Sequence, residues 1–264
     1  SMNKRRVVIT GLGVLAPNGN SLSEYWDALI AGKSGIGPIK GFDAEDLSVR
    51  IAGELSDFNP ENHFNRKEVG KLDPFSIYAL VTAKEAISQA GLDNSDVNKE
   101  RVGVIIGTGV GGIQTLESQH SVLMTRGQRR VTPYFVPKFI ANIAAGQIAI
   151  QHGFQGTNHT VISACASGTD AIGTAARTIQ YGDADVVITG GTEASVTPLT
   201  ISGFANMRAL STRNDDPTAA SRPFDLDRDG FVLGEGAASL ILEDAEHAKA
   251  RGATILAELA GYGA

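Results

Sequence analysis

Six short segments of apolar and β-branched residues recur along this chain, at residues 6–10, 101–107, 159–164, 185–189, 237–243 and about 255–262, and most are separated by stretches with helical spacing. Apolar runs without alternation are strands buried on both faces, and such strands belong in a parallel or mixed sheet covered by helices on either side. The pattern predicts helices over about 23–31, capped by Ser21 or Ser23, and over 73–90, 113–125, 140–152, 167–181 and 244–251. In the second of these, Ile77, Leu80, Val81, Ala83 and Ile87 fall near helical spacing, and Gly91 ends the run. Residues 32–65 are rich in Gly, Asp and Pro and read as a surface excursion with one short strand near 51–55. No low-complexity linker divides the chain.

With 264 residues, 42% of them hydrophobic, there is ample material for a core, and 31 glycines against 6% aromatics suit α/β layers with tight turns. A single Cys excludes internal disulfides and cysteine-rich zinc ribbons, and it fits a reducing compartment, the cytosol by default. The basic N-terminus leads into only a brief apolar strand, so no signal-peptide core is expected there. The apolar stretch 139–150 is interrupted by Asn142, Gly146 and Gln147 and falls short of a membrane span, so a soluble protein is expected. A formal charge of −6 argues against a general nucleic-acid binder. Cations nevertheless gather at Arg66, Lys67 and Lys71 and at Arg126, Arg129 and Arg130, each a solvated face or a docking site for an acidic partner.

Two glycine motifs follow apolar strands, Gly11-x-Gly13-x-x-Ala16 and Gly107-x-Gly109-x-x-Gly112. A dinucleotide site would need a helix opening directly and an acidic residue about 20 residues on. Pro17, Asn18 and Gly19 interrupt the first, the second leads to a basic turn at 127–130, and no Walker lysine follows either. These glycines read instead as places where backbone passes close beneath backbone, and no cofactor is expected.

The residues around Cys165 point to chemistry. A β-branched run leads into Cys165-Ala166-Ser167-Gly168-Thr169-Asp170, a turn of small residues opening a helix. Such an elbow exposes the reactive atom at the end of a strand, and the unpaired N–H groups of the helix offer partial positive charge to a sulfur anion. The Cys165 N–H is placed to help bind an oxyanion. A lone Cys without context reads more readily as an inert buried side chain.

Its context is Val161-Ile162-Ser163-Ala164-Cys165-Ala166-Ser167-Gly168, followed by Thr189-Gly190-Gly191-Thr192-Glu193-Ala194, Ala209-Leu210-Ser211-Thr212, Ser221-Arg222-Pro223-Phe224-Asp225 and Arg228-Asp229-Gly230-Phe231-Val232-Leu233-Gly234-Glu235-Gly236-Ala237. In this order the motifs resemble the elongating β-ketoacyl-acyl-carrier-protein synthases of fatty acid synthesis, synthase II most closely, from Arg6 to the last residue. The resemblance implies a thiolase-like layered αβαβα fold and a homodimer without cofactor or metal. It also implies a reaction in which a thiol takes an acyl chain from acyl carrier protein. Malonyl-carrier protein then loses carbon dioxide and attacks the thioester, giving a β-ketoacyl chain two carbons longer. Cys165 falls at the nucleophile. Val110 and Phe135 fall where the acyl pocket and its dimer wall form, and Phe231 falls on the active-site strand, though core packing explains all three equally well. Lys67, Lys71, Arg129, Arg130 and Arg208 fall at the basic carrier-docking positions, while Gly70 stands where relatives often carry another cation.

The family also uses two histidines, a lysine and a gating Phe in its second half. His63, His120, His152, His159 and His247 all lie outside those motifs, and none is paired at metal-ligand spacing with a carboxylate. The expectation is an N-terminal thiolase-like half over 1–252 and the first strand of a largely missing second half over 253–264. Such a chain would accept an acyl group but not complete condensation. A polyketide ketosynthase shares these motifs, and a non-catalytic partner subunit of such an enzyme would lack the Cys.

Overall fold

All six apolar segments join one sheet in the computed structural model, which describes residues 4–264. The strands, in chain order, are β1 (Val7–Leu15), β2 (Gly37–Pro38), β3 (Ile51–Ala52), β4 (Val102–Gly107), β5 (Asn158–Val161), β6 (Val186–Glu193), β7 (Gly236–Asp244) and β8 (Ala257–Glu258). Spatial order in the main sheet is β5-β4-β6-β7-β1-β8, while β2 and β3 form a separate ribbon within the excursion. β4 runs parallel to β5 and β6, and the β6-β7-β1-β8 pairs are antiparallel, so the sheet is mixed as expected.

The helices are α1 (Leu22–Ile30), α2 (Arg66–Val69), α3 (Pro74–Ala90), α4 (Ile113–Arg126), α5 (Phe135–Phe139), α6 (Ile143–His152), α7 (Ser167–Gln180), α8 (Pro198–Asn206) and α9 (Ala245–Ala250). Strand side chains alternate between two cores. Val104, Ile106, Ile188 and Ile241 pack with α3 and α6 on one face. Ile105, Val187 and Leu242 pack with Ala171, Ala175 and Ile179 of α7 on the other. Each large side chain buried this way contributes about 1.5–3 kcal/mol, and together they fix α7 against the sheet.

Several boundaries differ from the sequence reading, and contact between backbones explains the clearest case. The first strand was expected to end at Thr10, yet β1 continues through Gly11 and Gly13 to Leu15. Helix α3 crosses directly above: a β-carbon at Gly11 would stand 2.2 Å from the Ala86 carbonyl oxygen, and one at Gly13 2.0 Å from that of Thr82. Likewise β6 continues past Gly190 and Gly191 to Glu193. Residues 135–139, which include Pro137, make their own short helix before α6. The last strand is confined to Ala257–Glu258. Helix α8 was not anticipated, although Thr197 as a side-chain cap and Pro198 in the first turn are ordinary start signals.

The excursion is fastened to the segment that enters β7. The Gly53 N–H donates to the Leu233 carbonyl, the Glu235 N–H donates to that of Gly53, and the Glu235 carboxylate accepts from the Leu55 N–H at 2.9 Å. Leu233 and Gly236 of this segment line one hollow with Gly107 and Gly191, near the ends of β4 and β6, and with Cys165.

Candidate active site

Between β5 and α7 the chain makes a single tight turn, Ala164–Ala166, and Cys165 stands exposed on it. Ala164 sits at φ +54°, a left-handed conformation that costs a residue with a β-carbon roughly 1–3 kcal/mol unless its surroundings impose it. Ser167 imposes it here. Its buried hydroxyl donates to the Ala164 carbonyl at 2.6 Å and accepts from the Ser163 N–H at 2.9 Å, bracing both sides of the turn. Ser163 in turn donates its hydroxyl to Asp170, which also accepts from Tyr262. Those two hydrogen bonds, Ser163 first, hold the Asp170 carboxyl below the usual range.

Helix α7 begins immediately after the turn, with no side chain capping its first N–H groups. Its positive end is therefore left to whatever occupies the space beside Cys165.

That space is an open, largely apolar cavity of about 460 Å³. Its walls come from five segments: the loop after β4 with Val110, the turn with Cys165, the end of β6 around Glu193, Phe204 and Thr200 of α8, and Leu233 with Gly236. An apolar hollow of this size, ending at a thiol, suits a hydrophobic chain attached to that sulfur.

Glu193, at the end of β6, also reaches the cavity and is wrapped by the loop after β4. Its carboxylate accepts from the Gly109 N–H at 2.6 Å, the Thr108 hydroxyl at 2.9 Å, the Gly111 N–H at 3.2 Å and the Val110 N–H at 3.3 Å. Behind it, Gln114 donates to the Ala194 carbonyl at 3.0 Å. Further back, the buried Asp73 caps α3 through the Phe75 N–H and accepts from both the N–H and the hydroxyl of Thr115 on α4. Burial raises the Asp73 carboxyl above its ordinary range despite these bonds.

The remaining expected residues are distributed more widely. Phe135 begins α5 and stacks on Phe139 at 5.4 Å, outside the cavity lining. Phe231 packs edge-on against Phe204 at 5.2 Å but is itself exposed, outside the cavity lining and in the same hollow as Arg208. The two basic clusters approach one another: the Lys71 ammonium lies 5.5 Å over the Tyr134 ring, and Lys138 donates to the Gly70 carbonyl at 3.4 Å. Lys67, Arg129 and Arg130 are exposed on the same two segments. Arg208, at φ +57° just after α8, lines a different hollow with Arg222 and Arg228.

None of the five histidines lines the cavity. His63 stacks on Phe58 and His152 on Phe154, and burial lowers the basicity of both. His247 is bonded to Glu243. Among the described residues no cluster of His, Cys, Asp and Glu has the arrangement of a metal site, and no helix is long and apolar enough to cross a membrane.

Sequence reasoning gave no role to Glu193, Phe204 or Leu233. Glu193 left one signal, an acid ending an apolar strand next to a glycine-rich loop, whereas Phe204 and Leu233 reach the cavity only through tertiary packing.

Comparison with known proteins fits this geometry. A family model described as beta-ketoacyl synthase, N-terminal domain, matches residues 4–248. The chain is 49% identical over 262 residues to a Synechocystis protein named 3-oxoacyl-(acyl-carrier-protein) synthase 2, covering 99% of this chain and 63% of that one. Against the Staphylococcus aureus protein of the same name it is 51% identical over 263 residues, with 100% and 63% covered. A ketosynthase of a type II polyketide synthase, solved in complex with its acyl carrier protein, superimposes with a TM-score of 0.86 at 35% identity, covering 98% of this chain and 62% of that one. The chain thus spans a little under two thirds of the length of these relatives.

Proposed function

The chain belongs to the β-ketoacyl synthase family through its N-terminal domain, and we propose that it provides the acyl-accepting centre of a 3-oxoacyl-acyl-carrier-protein synthase of fatty acid elongation, with Cys165 as nucleophile. The observation that carries this reading is the position of the thiol, exposed on a strained turn at the uncapped start of α7 and opening into an apolar cavity. In the first step the Cys165 sulfur attacks the carbonyl carbon of a carrier-bound acyl thioester. A new C–S bond forms, the Cys165 N–H helps hold the oxyanion, and the carrier thiol leaves with the proton as the old C–S bond breaks. The acyl chain then lies along Val110, Phe204 and Leu233. In the second step, which calls on the histidines and lysine of the second half of such a synthase, malonyl-carrier protein loses carbon dioxide, and its carbanion displaces the Cys165 sulfur to give the β-ketoacyl product.

The partner is acyl carrier protein, in acyl- and malonyl-loaded forms, drawn to Lys67, Lys71, Arg129 and Arg130, with Arg208 as a second contact. Acidic carriers meet such a surface faster because opposite charges steer encounter. The second reading, a polyketide ketosynthase, draws on the polyketide relative and is separated by the acyl groups accepted. Residues 1–252 correspond on this reading to the N-terminal thiolase-like half, and residues 253–264 to the opening strand of the second. A homodimer would form along β5, an edge strand paired among the described residues with β4 alone, with the exposed apolar side chain of Ile162 directly after it and that of Ile150 on α6, which packs against it. The free thiol of Cys165 fits a reducing cytosol.

Mass spectrometry after incubation with acyl-loaded carrier protein tests the reading. The expected result is one added acyl group mapped to Cys165 and absent from Cys165→Ala. An unmodified Cys165, or acylation that persists in the Ala variant, rejects the assignment.

A further inference from the structure

We propose that Glu193 is a positioning residue that sets which acyl chain lengths the Cys165 cavity accepts, by holding the Val110 loop in one conformation. This rests on the acyl-transfer reading given above and extends it to a residue that reading leaves without a task.

Residues 108–111 leave β4 without entering helix or strand, and the N–H groups of Gly109, Val110 and Gly111, together with the Thr108 hydroxyl, all converge on one carboxylate. The loop is wrapped closely around it, for a β-carbon on Gly109 would stand 2.7 Å from Glu193 Oε1. Among the described residues no Lys or Arg forms an ion pair with Glu193, so its charge is met by backbone dipoles rather than a cation. A carboxylate supplies about four acceptor sites on two oxygens, which matches the four donors here; a carboxamide would turn its own N–H groups toward some of them. Glu193 is the last residue of β6, a strand in the interior of the sheet, so the acid transfers the rigidity of a central strand to the loop. Val110, half-exposed and lining the cavity beside Cys165, is carried on that loop. Shift the loop and the wall that carries Val110 moves, while Ser167 braces the turn that carries the sulfur.

The test compares wild type with Glu193→Gln, using short-, medium- and long-chain acyl-carrier proteins. The initial rate of acylation at Cys165 is read by mass spectrometry, and amide hydrogen exchange is read in parallel. We expect the ratio of long- to short-chain rates to change by about tenfold, and the amides of 109–111 to exchange at least about tenfold faster while those of β4 and α7 keep their protection. A purely structural role would scale all chain lengths alike, so a ratio within about twofold of wild type, or unchanged exchange at 109–111, overturns the proposal. Should Glu193→Gln fail to fold, Thr108→Val removes one donor only and is held to the same two readouts. If wild type itself takes no acyl group from any carrier, the acyl-transfer reading fails and this proposal falls with it, whereas a normal wild-type profile with an unaltered variant defeats this proposal alone.

Discussion

Gly107 lies so close beneath Ser167 that a β-carbon at position 107 would stand 2.1 Å from the Ser167 carbonyl oxygen. The last residue of β4 and the first residue of α7 therefore meet backbone to backbone. Because Ser167 also braces the Cys165 turn, the height at which the sulfur stands above the sheet is fixed by the missing side chain at 107.

Gly107→Ala should lift the start of α7. The overpacking costs about 1–3 kcal/mol, and a displacement of the nucleophile by about 1 Å slows acylation by about a hundredfold. Thermal unfolding and the rate of acyl transfer to Cys165 measure the two effects. A variant as stable and as fast as wild type would show that the elbow does not depend on this contact.

Asp73 links α3 to α4 behind the cavity, accepting three hydrogen bonds from Phe75 and Thr115. Asp73→Ala removes the α3 cap and leaves the Thr115 N–H and hydroxyl buried without a partner, a loss of about 1–3 kcal/mol for each group so stranded. Urea unfolding should register a destabilisation of about 2–6 kcal/mol for the two groups together. Thr115→Val, which deletes only the hydroxyl donor, should lose less.

How far the sequence carried the argument depends on what each residue needs from its neighbours. The strands were legible because β4 is buried at every position and β6 nearly so, leaving no polar alternation to confuse the reading. Cys165 was legible because strand, small-residue turn and helix adjoin in sequence. Glu193 was not, since a charged residue ending a strand ordinarily faces water, and only the folded loop shows four donors turned toward it. Phe204 and Leu233 come from segments without periodicity, and α8 and the excursion contact carry them to the cavity. Phe231 shows the converse: the motif containing it lies at the site, yet its ring backs Phe204 instead of lining the wall.

Lys71 and Arg130 belong to basic segments joined through Tyr134, and both are exposed. The double substitution Lys71→Glu with Arg130→Glu should lower the association rate for an acidic carrier protein by about tenfold to a hundredfold at low salt and flatten its dependence on ionic strength. Stopped-flow binding over a salt series measures this. Lys33→Glu with Lys249→Glu, the same change of charge at two exposed positions outside these segments, should leave the rate close to wild type; equal losses in both would point to net charge rather than a docking face.

Glu243, wholly buried at the end of β7, accepts from Arg251 Nε at 2.7 Å, Arg251 Nη2 at 2.8 Å, His247 Nδ1 at 2.6 Å and the Thr10 hydroxyl at 2.9 Å. A further Arg251 donor reaches the Ala90 carbonyl at 2.8 Å, so this one carboxylate ties α9, β1 and the end of α3 to the sheet. Burial alone would raise the Glu243 carboxyl, but the hydrogen bonds from Arg251 and then His247 outweigh it and hold the group below its ordinary value of 4.5. The folded protein therefore binds this proton less readily than the unfolded chain does. Its contribution to stability is complete above the unfolded value and is lost as pH falls below it through the depressed folded value. Glu243→Gln leaves the partly buried Arg251 without its counter-charge, a loss of up to about 3 kcal/mol at neutral pH. Urea unfolding of wild type and variant across a pH series should show the gap between them constant from neutrality down to about 5 and narrowing below about 4.5. A gap that stays the same width into the acid range would mean that the carboxylate does not titrate with folding and that the cluster stabilises through packing alone.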